Sequence, residues 1–449
     1  MPTERDPAAR DSLTMATSSP PRISAAPAPA ITPAARARPR LLVVMYANPN
    51  YHPPTVNGVR MMSERFEVQI VCRNDAGPAA DWAPGVTIER VGEIITAAQA
   101  FDAPAWRKLS WYRRFVRRLG CVIAETGPAL IYAYDPIGFA ASIAALGPRR
   151  KDIPVVFHCH DTPALGRVRL ASLQDWILRY AMRHTRDAAF TIFPSKYRAP
   201  IWLDKARDPR PPMIIPNGAA RDFYPPREDE DWSALARRRW ESKRVLYVGS
   251  MGAENGQPDA IRALEFLPAP VALDLIGFST PEYRIRLSQM AAALALAGRV
   301  SIAGWVPNPE RIRRAEDAAV GLVLYHAANP NWEHSGPSPN KLFEYAAWGL
   351  PVVVPDRKSF REFFADDEWV AYANPEDPAS IARAIEFILA DRDRYIAMSL
   401  AARRAHETKY NYEQVFAPVL ERLLALAGVA DDPAARCRRS SVEHQNELD

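Results

Sequence analysis

Leu41-Leu-Val-Val-Met-Tyr46 is an unbroken apolar run rich in branched side chains. A run of this length and branching fits a parallel strand buried on both faces. Working outward, similar runs recur at 67–72, 130–134, 154–159 and 188–193. The stretches between them, such as 105–125 and 171–186, are long enough for helical crossovers. The pattern then restarts at Arg244-Val-Leu-Tyr-Val-Gly249 and continues through 271–277, 299–304, 320–325 and 351–355. Helices are expected over 258–267, 282–297, 308–315 and 339–348, and Asp377-Pro378 caps and opens another over 379–390. Together these predict an α/β protein of two Rossmann-like, doubly wound domains facing a central cleft.

At 449 residues the chain is long enough for two or three domains. Residues 1–40 are rich in Pro and Ala without one aromatic side chain, which predicts a disordered tail. The first domain is then expected over 41–222, a charged, Pro-containing linker over 223–243 and the second domain over 244–408. A final helix is expected over 409–428 and a flexible tail over 429–449. A net charge of +5 is too mild for a dedicated nucleic-acid binder, so none is expected as a partner. Cys72, Cys121, Cys159 and Cys437 show no metal-binding spacing, and no apolar run reaches membrane-spanning length. A cytoplasmic protein with reduced thiols is the plain expectation.

The stretch Ser335-Gly-Pro-Ser-Pro-Asn-Lys-Leu-Phe-Glu-Tyr-Ala-Ala-Trp-Gly-Leu-Pro-Val-Val-Val-Pro355 carries the clearest chemistry. Pro339 suits the first turn of a helix, whose free N–H groups and dipole favour an anion. Lys341 adds a cation there, and Glu344, about one turn on, can accept hydrogen bonds from a vicinal diol. From pattern alone, an amphipathic core helix bearing a Lys–Glu surface pair fits these residues equally well.

The stretch PSPNKLFEYAAWGLPVVVPD resembles the donor-binding signature of bacterial family 4 glycosyltransferases, which have the two-domain GT-B fold. The resemblance extends to RVLYVGSMGAENG, VALDLIG, VSIAGWVP and IIPNGAARDFYP, and so covers roughly residues 41–428. It implies an acceptor-binding first domain, a donor-binding second domain and a last helix that crosses back to the first. It implies a hexosyltransferase that moves a sugar from a nucleoside diphosphate to an acceptor hydroxyl, with retention, in bacterial surface polysaccharide or glycolipid synthesis. Glu344 would bind the ribose and Ser338, Asn340 and Lys341 the diphosphate. Trp305 would neighbour the base, and Gly249 and Ser250 would follow the first strand of the donor domain. Of these, Lys341 is also a catalytic candidate. No metal and no cofactor beyond the nucleotide sugar are expected. The acceptor would be a saccharide or lipid-linked.

Three positions depart from the family pattern. Gly336 stands where many relatives have a second Glu, and Ser250 and Asn255 stand where many have an Arg and a Lys on the diphosphate. Lost cations matter at a leaving diphosphate. They give weight to the alternative of a non-catalytic GT-B protein that binds a nucleotide sugar or a partner enzyme.

In the first half, Phe157-His-Cys-His-Asp-Thr-Pro163 follows an expected strand, and alternation puts His158 and His160 on one side. The resemblance favours His160 and Asp161 near the reacting sugar as catalytic candidates, while a His pair taken alone is more often structural. Gly58 occupies the place of the family's glycine-bearing loop ahead of the first helix, where it would approach the donor; an ordinary turn serves equally. Asp229-Glu230-Asp231 has the form of a metal–diphosphate motif but lies in the charged linker, which favours a solvated segment. Residues 106–118 interleave six basic side chains with aromatic and aliphatic ones, and put Leu109, Tyr112 and Val116 on one face. Such a helix either lies on an anionic membrane at the inner face of the cell or packs on its own sheet.

Overall fold

The computed structural model describes residues 38–163, 172–327 and 330–429. The expected tails therefore fall almost wholly outside the described residues. In the first half, β1 (Arg40–Met45), β2 (Glu67–Asp75), β3 (Thr87–Ile95), β4 (Leu130–Tyr134), β5 (Val155–His158), β6 (Phe190–Phe193) and β7 (Met213–Ile214) form one parallel sheet in the order 3-2-1-4-5-6-7. In the second, β8 (Arg244–Val248), β9 (Ala272–Ile276), β10 (Val300–Ala303), β11 (Val320–Leu322), β12 (Val352–Pro355) and β13 (Val370–Ala373) form another, in the order 10-9-8-11-12-13. In each sheet the strand order reverses beside the first strand, and crevices at such reversals take ligands.

The apolar run that opens β1 is buried on both sides because alternate residues enter different cores. Leu42 and Val44 pack with helices Ala105–Thr126, Asp135–Leu146 and Leu173–His184. Leu41, Val43 and Met45 pack with helix Pro53–Ser63 and with Phe416, Val419 and Leu423 of helix Tyr412–Leu426. The chain thus leaves the first domain, builds the second and returns to cover the first sheet. The two crossings touch: a Cβ on Gly218 would lie 2.3 Å from the Tyr410 carbonyl oxygen, and the Tyr412 N–H donates to the Ala219 carbonyl at 2.8 Å.

Most of the stretch expected as linker is helix Asp229–Ser242, which buries Trp232, Leu235, Ala236 and Arg239 against the second domain. The Arg239 guanidinium donates to the Trp348 carbonyl at 2.6 Å. A charged composition concealed a helix whose arginine is structural. The basic helix Ala105–Thr126 buries Phe115, Leu119, Val122 and Ile123, with Tyr112 and Val116 half-buried against the same core. Its apolar face is spent on its own sheet, leaving Trp106, Arg113, Arg114 and Arg117 exposed. No helix among the described residues is long and apolar enough to cross a membrane.

Candidate functional site

The second-domain wall begins where β8 and β9 end. Gly249 follows β8 at φ +129° and Gly277 follows β9 at φ +143°. A Cβ on Gly277 would lie 1.8 Å from the Gly249 carbonyl oxygen, so these two backbones press together as glycine alone allows. Beside them opens a cavity of about 220 Å³, lined by Gly249, Gly277, Phe278, Trp305, Val306 and Arg311. Trp305 is 59% exposed, with its ring 6.2 Å from that of Phe278. Ser250 is exposed; its carbonyl accepts from the Tyr247 hydroxyl at 2.7 Å and the Asn255 amide at 2.9 Å. Asn255, at a position where relatives carry a cation, therefore pins the loop.

Helix Asn340–Ala347 supplies the floor. Pro339 is its N-cap, so the helix starts one residue later than expected, with Asn340 half-buried at its first position. Its end is a Schellman motif: Gly349, at φ +66°, donates to the Ala346 carbonyl and Leu350 to that of Tyr345, each at 2.9 Å. Lys341 and Glu344 are both buried, yet they do not form a surface pair. The Lys341 ammonium lies 3.8 Å from the Tyr247 ring centroid and close against Gly249. Burial pulls its pKa down to about 7, with the Glu344 charge acting against the fall. Glu344 faces Arg311 instead, Nη1 to Oε1 at 3.4 Å, while Nη2 of Arg311 donates to Asn308 at 2.9 Å. The neighbouring Arg313 and Arg314 turn away to Glu310, each at 2.8 Å. Arg311, which nothing in the local pattern distinguishes from them, is the arginine at this site.

The loop before this helix is fastened to the first domain. Ser338 is buried, its Oγ unpartnered and its carbonyl accepting from the Asn217 amide at 2.7 Å. Ser195 donates to the Gly336 carbonyl at 2.9 Å, and Arg198 donates to the Asn331 carbonyl at 2.9 Å.

On the first-domain wall, His160 is buried between stacked rings, with Tyr134 at 4.8 Å and His52 at 5.4 Å. Asp135 opens the helix after β4 in a left-handed conformation, φ +59°, rare for a residue with a side chain. Its carboxylate accepts from the His160 N–H at 2.9 Å and lies 3.4 Å from Nδ1 of the ring. Burial raises its carboxyl, but the charge and hydrogen bonds of His160, with His52 close by, outweigh that and hold it at about 2. The other ring nitrogen of His160 is 3.5 Å from the Thr55 hydroxyl. Asp135 thus orients an imidazole whose second nitrogen points along the helix start at Thr55.

The remaining expected positions separate. His158 lies beside His160 but is fully buried on the Tyr132 hydroxyl at 2.8 Å, and burial holds it well below the ordinary histidine range. Asp161 points to solvent and pairs with the buried Arg198 at 3.2 Å. Gly58 is not in a loop ahead of the first helix. It lies inside helix Pro53–Ser63, where a Cβ would meet the hydroxyls of Tyr134 at 2.9 Å and Tyr412 at 3.1 Å. It is a packing glycine, and the loop before that helix, residues 46–52, has none. Among the described residues, no group of three or more His, Cys, Asp or Glu side chains is placed to hold a metal ion.

Comparison with known proteins agrees with this architecture. Residues 56–223 match Glycosyltransferase Family 4 and residues 278–421 match Glycosyl transferase-like. The lipopolysaccharide core biosynthesis glycosyltransferase LpsE of Rhizobium meliloti (strain 1021) is 31% identical over 164 residues, which are 36% of this chain and 44% of that protein. The chain spans about half the length, 44% and 50%, of the curated relatives it matches first. Among solved structures, sucrose-phosphate synthase from Thermosynechococcus elongatus aligns over 88% of this chain and all of its own, with TM-score 0.66 and 18% identity. Anabaena HepE in complex with UDP and glucose aligns over 86% of this chain and 99% of its own, with TM-score 0.63 and 18% identity. Each half thus matches a glycosyltransferase family model, a family 4 one followed by a glycosyl transferase-like one, on a two-sheet GT-B fold shared along nearly the whole chain.

Proposed function

We propose that the protein transfers a hexose-type sugar from a nucleoside diphosphate sugar to an acceptor hydroxyl. The observation that carries this is the buried pair one turn apart on helix Asn340–Ala347, beside the 220 Å³ cavity. Glu344 is the acceptor for the ribose diol, and Trp305 and Phe278 offer ring faces to the base. Lys341, the helix start with Ser338 and Asn340, and Gly249 and Ser250 meet the diphosphate. The cavity and the UDP complex of a fold neighbour both support a nucleotide donor. Across the cleft, His160, oriented by Asp135, takes a hydroxyl of the transferred sugar or of the acceptor. The reaction is same-face displacement, with the departing diphosphate receiving the acceptor proton. Lys341 is the cation closest to that charge, and the reading calls for no metal.

The place of action is a bacterial surface polysaccharide or glycolipid, with the enzyme cytoplasmic and peripheral on an anionic membrane. Exposed Trp106, Arg113, Arg114 and Arg117 support that contact.

Release of nucleoside diphosphate from UDP-, GDP- and ADP-sugars, with thermal shift on the same set, tests the reading. Turnover with one donor, unaffected by EDTA, is expected. A donor that stabilises the fold without turnover, with or without added divalent cation, would favour the non-catalytic binder that the neutral Ser250 and Asn255 suggest.

A further inference from the structure

A second cavity, of about 530 Å³, lies in the first domain at the carboxyl ends of β1, β2 and β3, where Tyr46, Arg73, Asp75 and Ile95 line it. Two of its lining residues adjoin the His160 cluster along the chain. Tyr51 lines the cavity while His52, next in the chain, stacks on His160; Ile137 lines it two residues beyond Asp135. The loop bearing Tyr51 is fixed, because the Tyr51 hydroxyl donates to the Ala76 carbonyl and the Asn48 amide to that of Asp75, both at 3.2 Å.

The lining has two characters. At the strand ends, Arg73 grips Asp75 through two bonds of 2.5 and 2.8 Å while its guanidinium lies 4.8 Å over the Tyr46 ring. A charged pair beside an aromatic face suits a sugar ring, which offers hydroxyls at its edge and C–H groups on its face. Away from the strands the lining turns apolar, through Trp111 and Tyr112 to Phe101, which lines the cavity yet remains 84% exposed. Lys108, from the helix that carries Trp106 and the exposed arginines, forms part of this rim.

We infer that this cavity takes the acceptor, and that the acceptor is a glycolipid whose sugar rests on Arg73, Asp75 and Tyr46 while its chain leaves past Phe101. The inference rests on the proposed transfer at His160. One aromatic platform and one ion pair satisfy a sugar; the longer apolar wall and its exposed end need an apolar chain.

The test is calorimetric binding of monomeric n-decyl β-maltoside and of maltose to the full chain. The alkyl glycoside should bind at least tenfold more tightly. Ala100→Trp and Gln174→Trp, which fill the cavity from two different elements, should each weaken it at least tenfold while UDP still raises the melting temperature. Equal affinity for maltose would make this a free-sugar site, and unchanged alkyl-glycoside binding in both variants would place the acceptor elsewhere; either overturns the inference. If the wild-type protein binds decyl maltoside as expected but no nucleotide or nucleotide sugar, the donor reading falls and the cavity stands.

Discussion

Glu344 illustrates how little a residue's type says before its neighbours are known. Its carboxylate is buried, so it needs a partner, and Arg311 at 3.4 Å supplies one. In the proposed complex the ribose diol shares that carboxylate, with Arg311 holding it in place. Glu344→Gln should then weaken uridine and UDP binding alike by about 1.5–3 kcal/mol, the range for a hydrogen bond to a charged group. Arg311→Ala should do the same through Glu344, so the double variant should be little worse than either alone. Strict additivity in calorimetry would mean that the two residues act on different parts of the ligand. Lys341 makes a different prediction. With its pKa near 7 in the free protein, it is largely neutral above that pH, and a diphosphate brought against it favours the charged form. Binding UDP above pH 7 should therefore take up a proton, and affinity should fall as pH rises, by up to tenfold per unit. Uridine affinity should stay level over the same range. Calorimetry in buffers of different ionisation enthalpy reads the proton directly. Lys341 and Glu344 were legible in the sequence because their spacing sits in a family signature. Asp135, Arg198 and Arg311 were not, since each acquires its meaning from a residue distant in the chain.

Elements were legible where burial is two-sided. β1, β4 and β8 read as continuous apolar runs. β3, at the sheet edge, mixes polar and charged residues among its apolar ones, and β7 is two residues long, so neither produces such a run. Helix Pro53–Ser63 hides behind two prolines that fit its first turn, and Gly58 within it resembles a loop glycine until Tyr134 and Tyr412 are seen against it. Helix Ala105–Thr126 belongs to the same lesson. Its apolar face is required by its own sheet, so membrane contact must come from the side that packing leaves free. Arg107 pairs with Glu93, and Arg118 with Glu89 and Glu125, whereas Arg113, Arg114 and Arg117 are exposed. Changing those three to Glu should abolish co-sedimentation with anionic vesicles without lowering the melting temperature. Wild-type binding should weaken with salt, since exposed charges are screened within about 10 Å at 0.1 M. Failure of the wild-type protein to sediment at low salt would remove the membrane from the proposal.

At the scale of the molecule, the two-sheet plan was legible as one pattern that stops and restarts, whereas the return of the last helix to the first domain followed only from the family resemblance and not from the residues of that helix. Helix Tyr412–Leu426 closes the face of the first sheet that carries Leu41, Val43 and Met45, but it is joined to the second domain. That arrangement sets a timetable for synthesis. While a ribosome is making β8 to β13, one apolar face of the first sheet is covered only in part, by helix Pro53–Ser63, and the helix that completes the cover has yet to be translated. Nascent chains stalled with residue 411 outside the exit tunnel should be cut readily by protease within residues 41–222, and chains stalled with residue 429 outside should resist. Equal resistance at both lengths would show that the first domain closes without its last helix. Until that helix emerges, the exposed strands are a surface for chaperones to hold, so the yield of folded protein should depend on how quickly the second domain is translated.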